Sequence, residues 1–510
     1  MIGTSTAEYV LLRAFILILQ SLAPLSVIYW ILRVFHVSSA LRLPPFLERW
    51  ALEEAIFCVT VYALHRFYLQ RPAIHPPLLS REKRRGLVKL CHESIPDLGN
   101  YMSKWFLDAP LEELRRENVK EFYRWAFFSS AQEDPSTEEE VNEYVNDFED
   151  RMGHKFRPGR ANVKCLRLTF EKVDMLHRSL AWYLLIFIVD NITFLSLLYN
   201  GFQYYRGSAK RTFAVFPPRP QKLLAKGRAP VKNISYFYRP HTSRSCRPIL
   251  FLHGIGVGLG PYVKFFTELG KNSAASEDGQ IGILALEILP ISSRITLPVL
   301  RKEEMCRQVR AILEYHGFDD CVLAAHSYGS VIATHLLQDP SVSERIASVV
   351  LVDPVSILLH LPDVAYNFTF RRPRTPTQWV LWFFGSMDVG VSHTLHRHFF
   401  WSENILWKED LAGRNASIFL CERDSIVNTA HVRGYLETSG SCLEIDAVDD
   451  GLVSTAKTTK ADKCLRENNI KLFWCTKLEH GEVFETKLWR SLLVKEMLKH
   501  TRRKSESSAP

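Results

Sequence analysis

Ser327 is the residue on which chemistry in this chain would turn. It sits in Cys321-Val322-Leu323-Ala324-Ala325-His326-Ser327-Tyr328-Gly329-Ser330-Val331-Ile332, an apolar run that ends at His326 and is followed by small residues opening a helix. A strand that breaks sharply into a helix strains the backbone at the turn. It exposes the turn's side chain above the sheet and aims the next N–H at the same point. A serine in that position is placed to act as a nucleophile. The spacing is that of Gly-x-Ser-x-Gly, with Ala325 standing where the first glycine would be. The competing reading is a chance Ser-x-Gly on a strand-to-helix turn, so the surrounding motifs decide.

Three further stretches place polar residues just beyond short apolar runs. Pro248-Ile249-Leu250-Phe251-Leu252-His253-Gly254-Ile255-Gly256-Val257-Gly258 is a strand running into a glycine-rich loop, with a helix expected near Pro261. Such a loop can turn backbone N–H groups toward a developing negative charge, or it can cradle a phosphate. The Gly-x-Gly-x-x-Gly spacing is absent around Gly254 and no Lys-Ser/Thr pair follows, which disfavours a nucleotide. Downstream, the strand Ala416–Cys421 ends at Glu422-Arg423-Asp424-Ser425, and Ser348–Val352 ends at Asp353. The last strand, Lys471–Cys475, leads to Leu478-Glu479-His480-Gly481-Glu482 before a C-terminal helix. An Asp after a strand is commonly a turn or cap residue, and His480 is one of 18 histidines. Their order along the chain, rather than any one of them, carries the argument.

The elbow, the glycine-rich loop and the sequence Ser, acid, His together resemble the α/β-hydrolase superfamily over roughly residues 231–500. Some of its lipases also carry alanine at the first position of the elbow motif. The resemblance implies an α/β fold with a mostly parallel sheet flanked by helices and an inserted cap. It also implies a triad in which Ser327 is the nucleophile, His480 the general base and Asp424 the acid that orients it, with Glu422 and Asp353 as competitors for the acid. The oxyanion donors it implies are the backbone N–H groups of Ile255 and Tyr328. Serine at the elbow argues against the epoxide-opening and halide-displacing members, which use aspartate. No cofactor and no metal are required. Trp105-Phe106-Leu107-Asp108-Ala109-Pro110 and Arg116-Glu117-Asn118-Val119 look like the leader of membrane-bound fungal α/β-hydrolases.

Composition sets the wider frame. The chain has 510 residues, too many for one compact domain, and 47% of them are hydrophobic. The net charge of +9 is clustered beside apolar helices, which suits an anionic lipid surface better than nucleic acid. Ten cysteines occur without Cys-x-x-Cys or metal-ligand spacing, and Cys321, Cys421 and Cys475 fall in core strands, which favours a reducing compartment. Four Asn-x-Ser/Thr sites, at Asn191, Asn233, Asn367 and Asn415, point the other way and read as incidental.

The elements that position the site divide the chain as follows. Residues 1–75 are expected to hold two membrane-anchoring helices, Val10 to about Val34 and Trp50–Leu69, the second weakened as a span by Glu53, Glu54 and His65. No cleavable signal peptide is evident. Residues 76–175 read as mostly helical, with a helix over Leu111–Phe128 and another capped by Ser136. Residues 176–206 form an apolar helix, interfacial or membranous, or else a cover for the catalytic domain, because Asp190 in mid-run is costly in lipid. Residues 207–232 read as a basic, proline-containing linker. The hydrolase domain spans 233–500, opens with the strand Asn233–Tyr238 and carries a cap over 354–414, and 501–510 is expected to be a disordered tail. Basic clusters after the second and third runs favour a hairpin from the first two, with the catalytic domain facing the cytosol at the endoplasmic reticulum or another endomembrane.

The cap is rich in aromatic residues, among them Phe368, Phe370, Trp379, Trp382, Phe399 and Trp401. They suit either an apolar substrate channel or the cap's own core. His393, His396 and His398 form a possible metal cluster but lack a carboxylate at ligand spacing. These residues are expected to serve a membrane-anchored serine hydrolase acting on an ester or thioester of an apolar acyl compound. The alternatives are an acyltransferase using the same triad and a catalytically inactive membrane scaffold. Oligomeric state is not legible.

Overall fold

The computed structural model describes residues 5–36, 42–273, 278–437, 441–448, 451–454 and 470–503. The expected tail lies outside the described residues from 504 onward. Among the described residues, the strands are β1 (Gln203–Arg206), β2 (Gly227–Arg228), β3 (Ser235–Arg239), β4 (Ile249–Leu252), β5 (Ile283–Glu287) and β6 (Cys321–His326), followed by β7 (Ile346–Val352), β8 (Asn415–Cys421), β9 (Ser441–Val448), β10 (Gly451–Ser454) and β11 (Ile470–Cys475). They form one sheet in the order β10-β9-β11-β8-β7-β6-β4-β5-β3-β1-β2. From β5 through β4, β6, β7, β8 and β11 to β9 every pairing is parallel, while β3 and β10 join antiparallel at the two sides.

A parallel strand covered on both faces must be apolar on both, and β6 is buried at every residue. Its side chains alternate between two layers. Leu323 and Ala325 face one layer with Leu250, Leu252, Val349 and Leu351, whereas Val322 and Ala324 face the other with Ile249, Phe251, Val350 and Val352. The first layer is closed by the helix Lys302–Tyr315 through Val309, Ile312 and Leu313, spaced three and four apart as an amphipathic helix requires. It continues into the N-terminal helical segment, where Trp105, Phe122 and Phe148 join the same core. The helices Val263–Ser273 and Lys487–Thr501 close the second layer through Phe266, Leu269, Trp489 and Leu493.

Four sequence expectations change. The sheet starts before Asn233, because β1 pairs with β3 and β2 with β1. The stretch 207–232 is therefore packed structure and not a linker. The helix expected to be capped by Ser136 is Pro135–Met152, and its cap is Asp134, whose carboxylate accepts the Ser136 N–H while Pro135 takes the first helical position. The helix expected over Leu111–Phe128 is split into a short turn at Leu111–Glu113 and the helix Arg116–Phe128. Among the described residues the helices long and apolar enough to cross a membrane are Thr6–Val34 and Leu180–Tyr199, so the second apolar run does not qualify as a span. It forms the helix Pro45–Leu64 followed by the turn His65–Leu69. Its Glu54 is fully buried and accepts the Leu180 N–H at 2.8 Å, fastening it to the start of the third run.

The third run, Leu180–Tyr199, covers the second sheet layer with Phe194 and Leu197. On that packed side Asp190 receives Arg219 Nε at 2.6 Å, Arg294 Nη2 at 2.7 Å and Gln221 Nε2 at 2.7 Å. Arg219 also reaches Glu287 Oε1 at 2.6 Å, and Ser235 Oγ donates to the same carboxylate. Burial alone would raise the Glu287 carboxyl, but the Arg219 charge and hydrogen bonds override it and hold it well below the usual range. The mid-run carboxylate that would be costly in lipid is thus neutralised inside the protein. Replacing Arg219 with Met leaves Asp190 and Glu287 buried without their shared cation. The variant should lose about 3–5 kcal/mol of stability, read as a lowered unfolding midpoint of the full chain in detergent, and an unchanged midpoint would contradict the account.

Candidate active site

β6 ends at His326, and the next residue takes a backbone conformation that L-residues rarely adopt: Ser327 has φ +51°. Two hydrogen bonds hold it there. Its N–H donates to Val352 O on β7 at 3.0 Å, and its own carbonyl accepts the Ser330 N–H at 2.9 Å as the helix Gly329–Gln338 begins. Gly329 is required by close approach, since a Cβ there would lie 2.4 Å from Leu252 O. Ala325, in contrast, lies within β6 paired with Leu252 and Leu351, where a methyl group fits, so the departure from glycine is tolerated.

The structure brings Ser327, His480 and Asp424 together across 153 and 56 positions of sequence. His480 Nε2 lies 2.8 Å from Ser327 Oγ, and His480 Nδ1 lies 2.7 Å from Asp424 Oδ2. Asp424 Oδ1 accepts the N–H groups of Ile426 and Val427 at 2.7 and 2.9 Å, which fixes the carboxylate, and its side chain has no exposed surface. An ionised carboxylate at Nδ1 assigns the proton to that nitrogen and leaves Nε2 as acceptor for the serine hydroxyl.

The two competing acids are engaged elsewhere. Glu422 accepts the Lys477 N–H at 2.7 Å and is exposed. Asp353 is fully buried, with Oδ1 accepting the Cys421 N–H and Oδ2 the Gly481 N–H, each at 2.8 Å. It therefore supports the loop that carries His480 rather than the ring itself. Burial, then the neighbouring Asp424 charge, raises the Asp353 carboxyl. Burial would lower the His480 imidazolium, but the Asp424 carboxylate, with Asp353 and Glu479 behind it, outweighs that and raises it.

The glycine-rich loop lies directly over the serine. A Cβ at Gly254 would stand 2.8 Å from Ser327 Cβ, so only glycine permits the approach. The Gly254 N–H donates to Tyr262 Oη at 3.0 Å and the Gly256 N–H to Ile291 O at 3.1 Å. Between them the Ile255 N–H has no acceptor among the described residues, and neither does the N–H of Tyr328. Sequence reasoning missed the brace behind this arrangement. Tyr262 Oη lies 2.7 Å from His326 Nδ1, and the His326 ring lies 5.3 Å from that of His480, so one phenol ties the loop to both sides of the serine. A tyrosine at the start of an apolar helix carries no sequence signal for that role. The three cap histidines do not converge: His396 Nδ1 lies 2.8 Å from Ser392 O, while His393 and His398 meet as rings with centroids 5.1 Å apart.

No curated protein matches the chain. Among solved structures, a membrane phospholipase A described as a bacterial virulence factor is 11% identical with a TM-score of 0.37, covering 62% of this chain and 94% of its own. A putative lipase from Acinetobacter baumannii is 12% identical with a TM-score of 0.37, covering 61% and 94%. The carboxylesterase CesB from Bacillus subtilis is 9% identical with a TM-score of 0.33, covering 62% and 97%. Likenesses this distant carry no argument about activity. Residues 247–406 match the family model of the alpha/beta hydrolase fold, a stretch that contains the glycine-rich loop and the elbow but not the leader at 105–119. The parallel sheet and its strand-to-helix elbow are in keeping with that match, and residues 247–406 carry the alpha/beta hydrolase fold.

Proposed function

We propose that the protein is a membrane-associated serine hydrolase that cleaves a carboxylic ester or thioester of an apolar acyl compound through an acyl-enzyme. The observation that carries this reading is the continuous relay Ser327 Oγ, His480, Asp424, at 2.8 and 2.7 Å. Ser327 Oγ attacks the acyl carbonyl as its proton passes to His480 Nε2, and Asp424 stabilises the imidazolium through Nδ1–H. The unpaired N–H groups of Ile255 and Tyr328 receive the oxyanion. His480 then protonates the departing alcohol or thiol, leaving acyl-Ser327, and water activated by the same histidine releases the acid.

Two features support an apolar substrate taken from a membrane. Trp105, Trp125, Phe368, Phe399 and Trp401 line a small apolar pocket between the cap and the helical segment, and the Phe399 ring lies 6.2 Å from that of Tyr328. The helix Thr6–Val34 exposes Leu11, Leu17, Ile18 and Leu25, and Leu180–Tyr199 exposes Leu184, Ile188, Ile192 and Leu195 on the side away from Asp190. Apolar faces of that extent on the two span-length helices suit lipid.

Full-length protein in detergent is expected to react with a fluorophosphonate at Ser327. The Ser327→Ala variant should lose the label and about 10⁶-fold in kcat, while Asp424→Asn should lose about 10⁴-fold through the wrong imidazole tautomer. Persistent labelling of Ser327→Ala would sink the reading, and a preference for short, water-soluble esters over long-chain ones would sink its apolar part.

The base is competent only when neutral, so kcat/KM should rise with pH through the folded pKa of His480. Because carboxylates raise that pKa, the limb should lie above the about 6.5 of a free imidazole. Glu479→Gln removes one of those charges and should move the limb to lower pH. A pH–rate profile with the limb unmoved would remove Glu479 from the account.

A further inference from the structure

Next to the elbow lies a cavity of about 290 Å³ that the relay does not use. Tyr328, whose N–H is one of the two unpaired donors, forms part of its wall together with Val331 and Ile332 of the following helix. A second wall is the segment 71–77, which directly follows the helix Pro45–Leu64 and its turn His65–Leu69. The remaining walls come from residues 298–305 and from the cap.

The lining carries more positive than negative charge. Arg71, Arg301, Lys302 and Arg397 face it against Glu303 and Glu403. None of the three arginines has a carboxylate partner among the described residues. The Arg71 guanidinium rests 5.2 Å over the Tyr68 ring. Arg397, 6% exposed, gives Nη1 to the carbonyls of Glu171 and His396, while its Nε has no acceptor. Asn404, 3% exposed, spends Oδ1 on His335 and leaves Nδ2 without an acceptor. Those two atoms are closed off from solvent, so the donors open to a ligand are the exposed guanidinium groups of Arg71 and Arg301. His393 and His398 add no charge at neutral pH. Burial lowers both to about 4, and Arg397 acts on each in the same direction, joined by Arg301 at His398.

We propose that this cavity receives a phosphate group borne by the acyl ester whose carbonyl is attacked by Ser327, so that the substrate is an acidic acyl lipid. The inference rests on the hydrolase reading and names its substrate class. Phosphate is favoured because several guanidinium groups around one cavity match its multiple acceptor oxygens. A lipid source is favoured because Arg71 follows a helix that exposes Leu52, Ile56 and Val59, and because His75 and Phe400 line both this cavity and the apolar pocket of the cap. A headgroup would then sit beside Tyr328 while its acyl chain lies along the aromatic rings.

The test compares monooleoyl glycerol phosphate with monooleoyl glycerol on the full chain in detergent. The ratio of their kcat/KM values should favour the phosphate ester at least tenfold, and Arg301→Gln and Arg71→Gln should each bring that ratio toward one. Arg71 is exposed and makes no ion pair, so its variant keeps the test open if Arg301→Gln fails to fold. Equal turnover of the two esters, or a ratio indifferent to both substitutions, would overturn the proposal. Calorimetry on Ser327→Ala separates this outcome from failure of the hydrolase reading, which fluorophosphonate labelling reports independently. Binding of monooleoyl glycerol phosphate there supports a lipid headgroup, equal binding of glycerol phosphate supports a soluble phosphate source, and binding of neither overturns the site.

Discussion

A serine held at φ +51° between a buried strand and a helix is the constraint from which the rest of the site follows. The strain persists because the surroundings over-determine it. Val352 O on the neighbouring strand takes the Ser327 N–H, and the helix that starts two residues on is pressed against Leu252 O at Gly329. The same closeness brings Gly254 over the serine, and a methyl group at either glycine would push the loop or the helix away. The serine and the unpaired N–H groups beside it are therefore set by one packing problem and not by two.

Around that point the molecule uses side chains from distant strands to fasten loops. Asp353 at the end of β7 holds backbone donors on the β8 and His480 sides, and Tyr262 holds Gly254 while meeting His326. Each of these groups is buried, where a hydrogen bond is costly to lose. The histidine loop and the glycine-rich loop are thereby referenced to the same sheet edge that carries the serine.

The helix Leu180–Tyr199 links this centre to the apolar exterior. Its packed face carries Asp190, clamped by Arg219 and Arg294, and Arg294 lies against the position where a Cβ of Gly258 in the glycine-rich loop would stand. Its opposite face is bare leucine and isoleucine. The N-terminal helix Thr6–Val34 reaches the same region through Leu12, Ile16 and Leu19, which cluster with Trp182, Phe383 and Val257. Apolar surface and glycine-rich loop are thus parts of one packed body.

Much of this was legible in the residues. The core strands near the elbow are continuous apolar runs, and a parallel strand buried on both faces leaves no other pattern, so Cys321–His326 and its neighbours could be placed within a residue or two. Ser327 and His480 each lie just beyond such a run, and order along the chain narrows the acid to Asp424, Glu422 and Asp353 without choosing among them. What the residues could not decide was which polar groups meet. In the sequence Asp190 is a cost in lipid, whereas in the fold it pairs with Arg219 from a stretch whose composition is that of a linker. Glu54 read as a weakness in a span and is instead the acceptor for Leu180. Asp353 and Asp424 occupy equivalent places after their strands, and only the packed loops show which carboxylate faces the imidazole. Hydrophobic periodicity is a local property written in the chain, whereas the pairing of buried charges depends on which distant segments share a layer, and that is decided by tertiary packing alone.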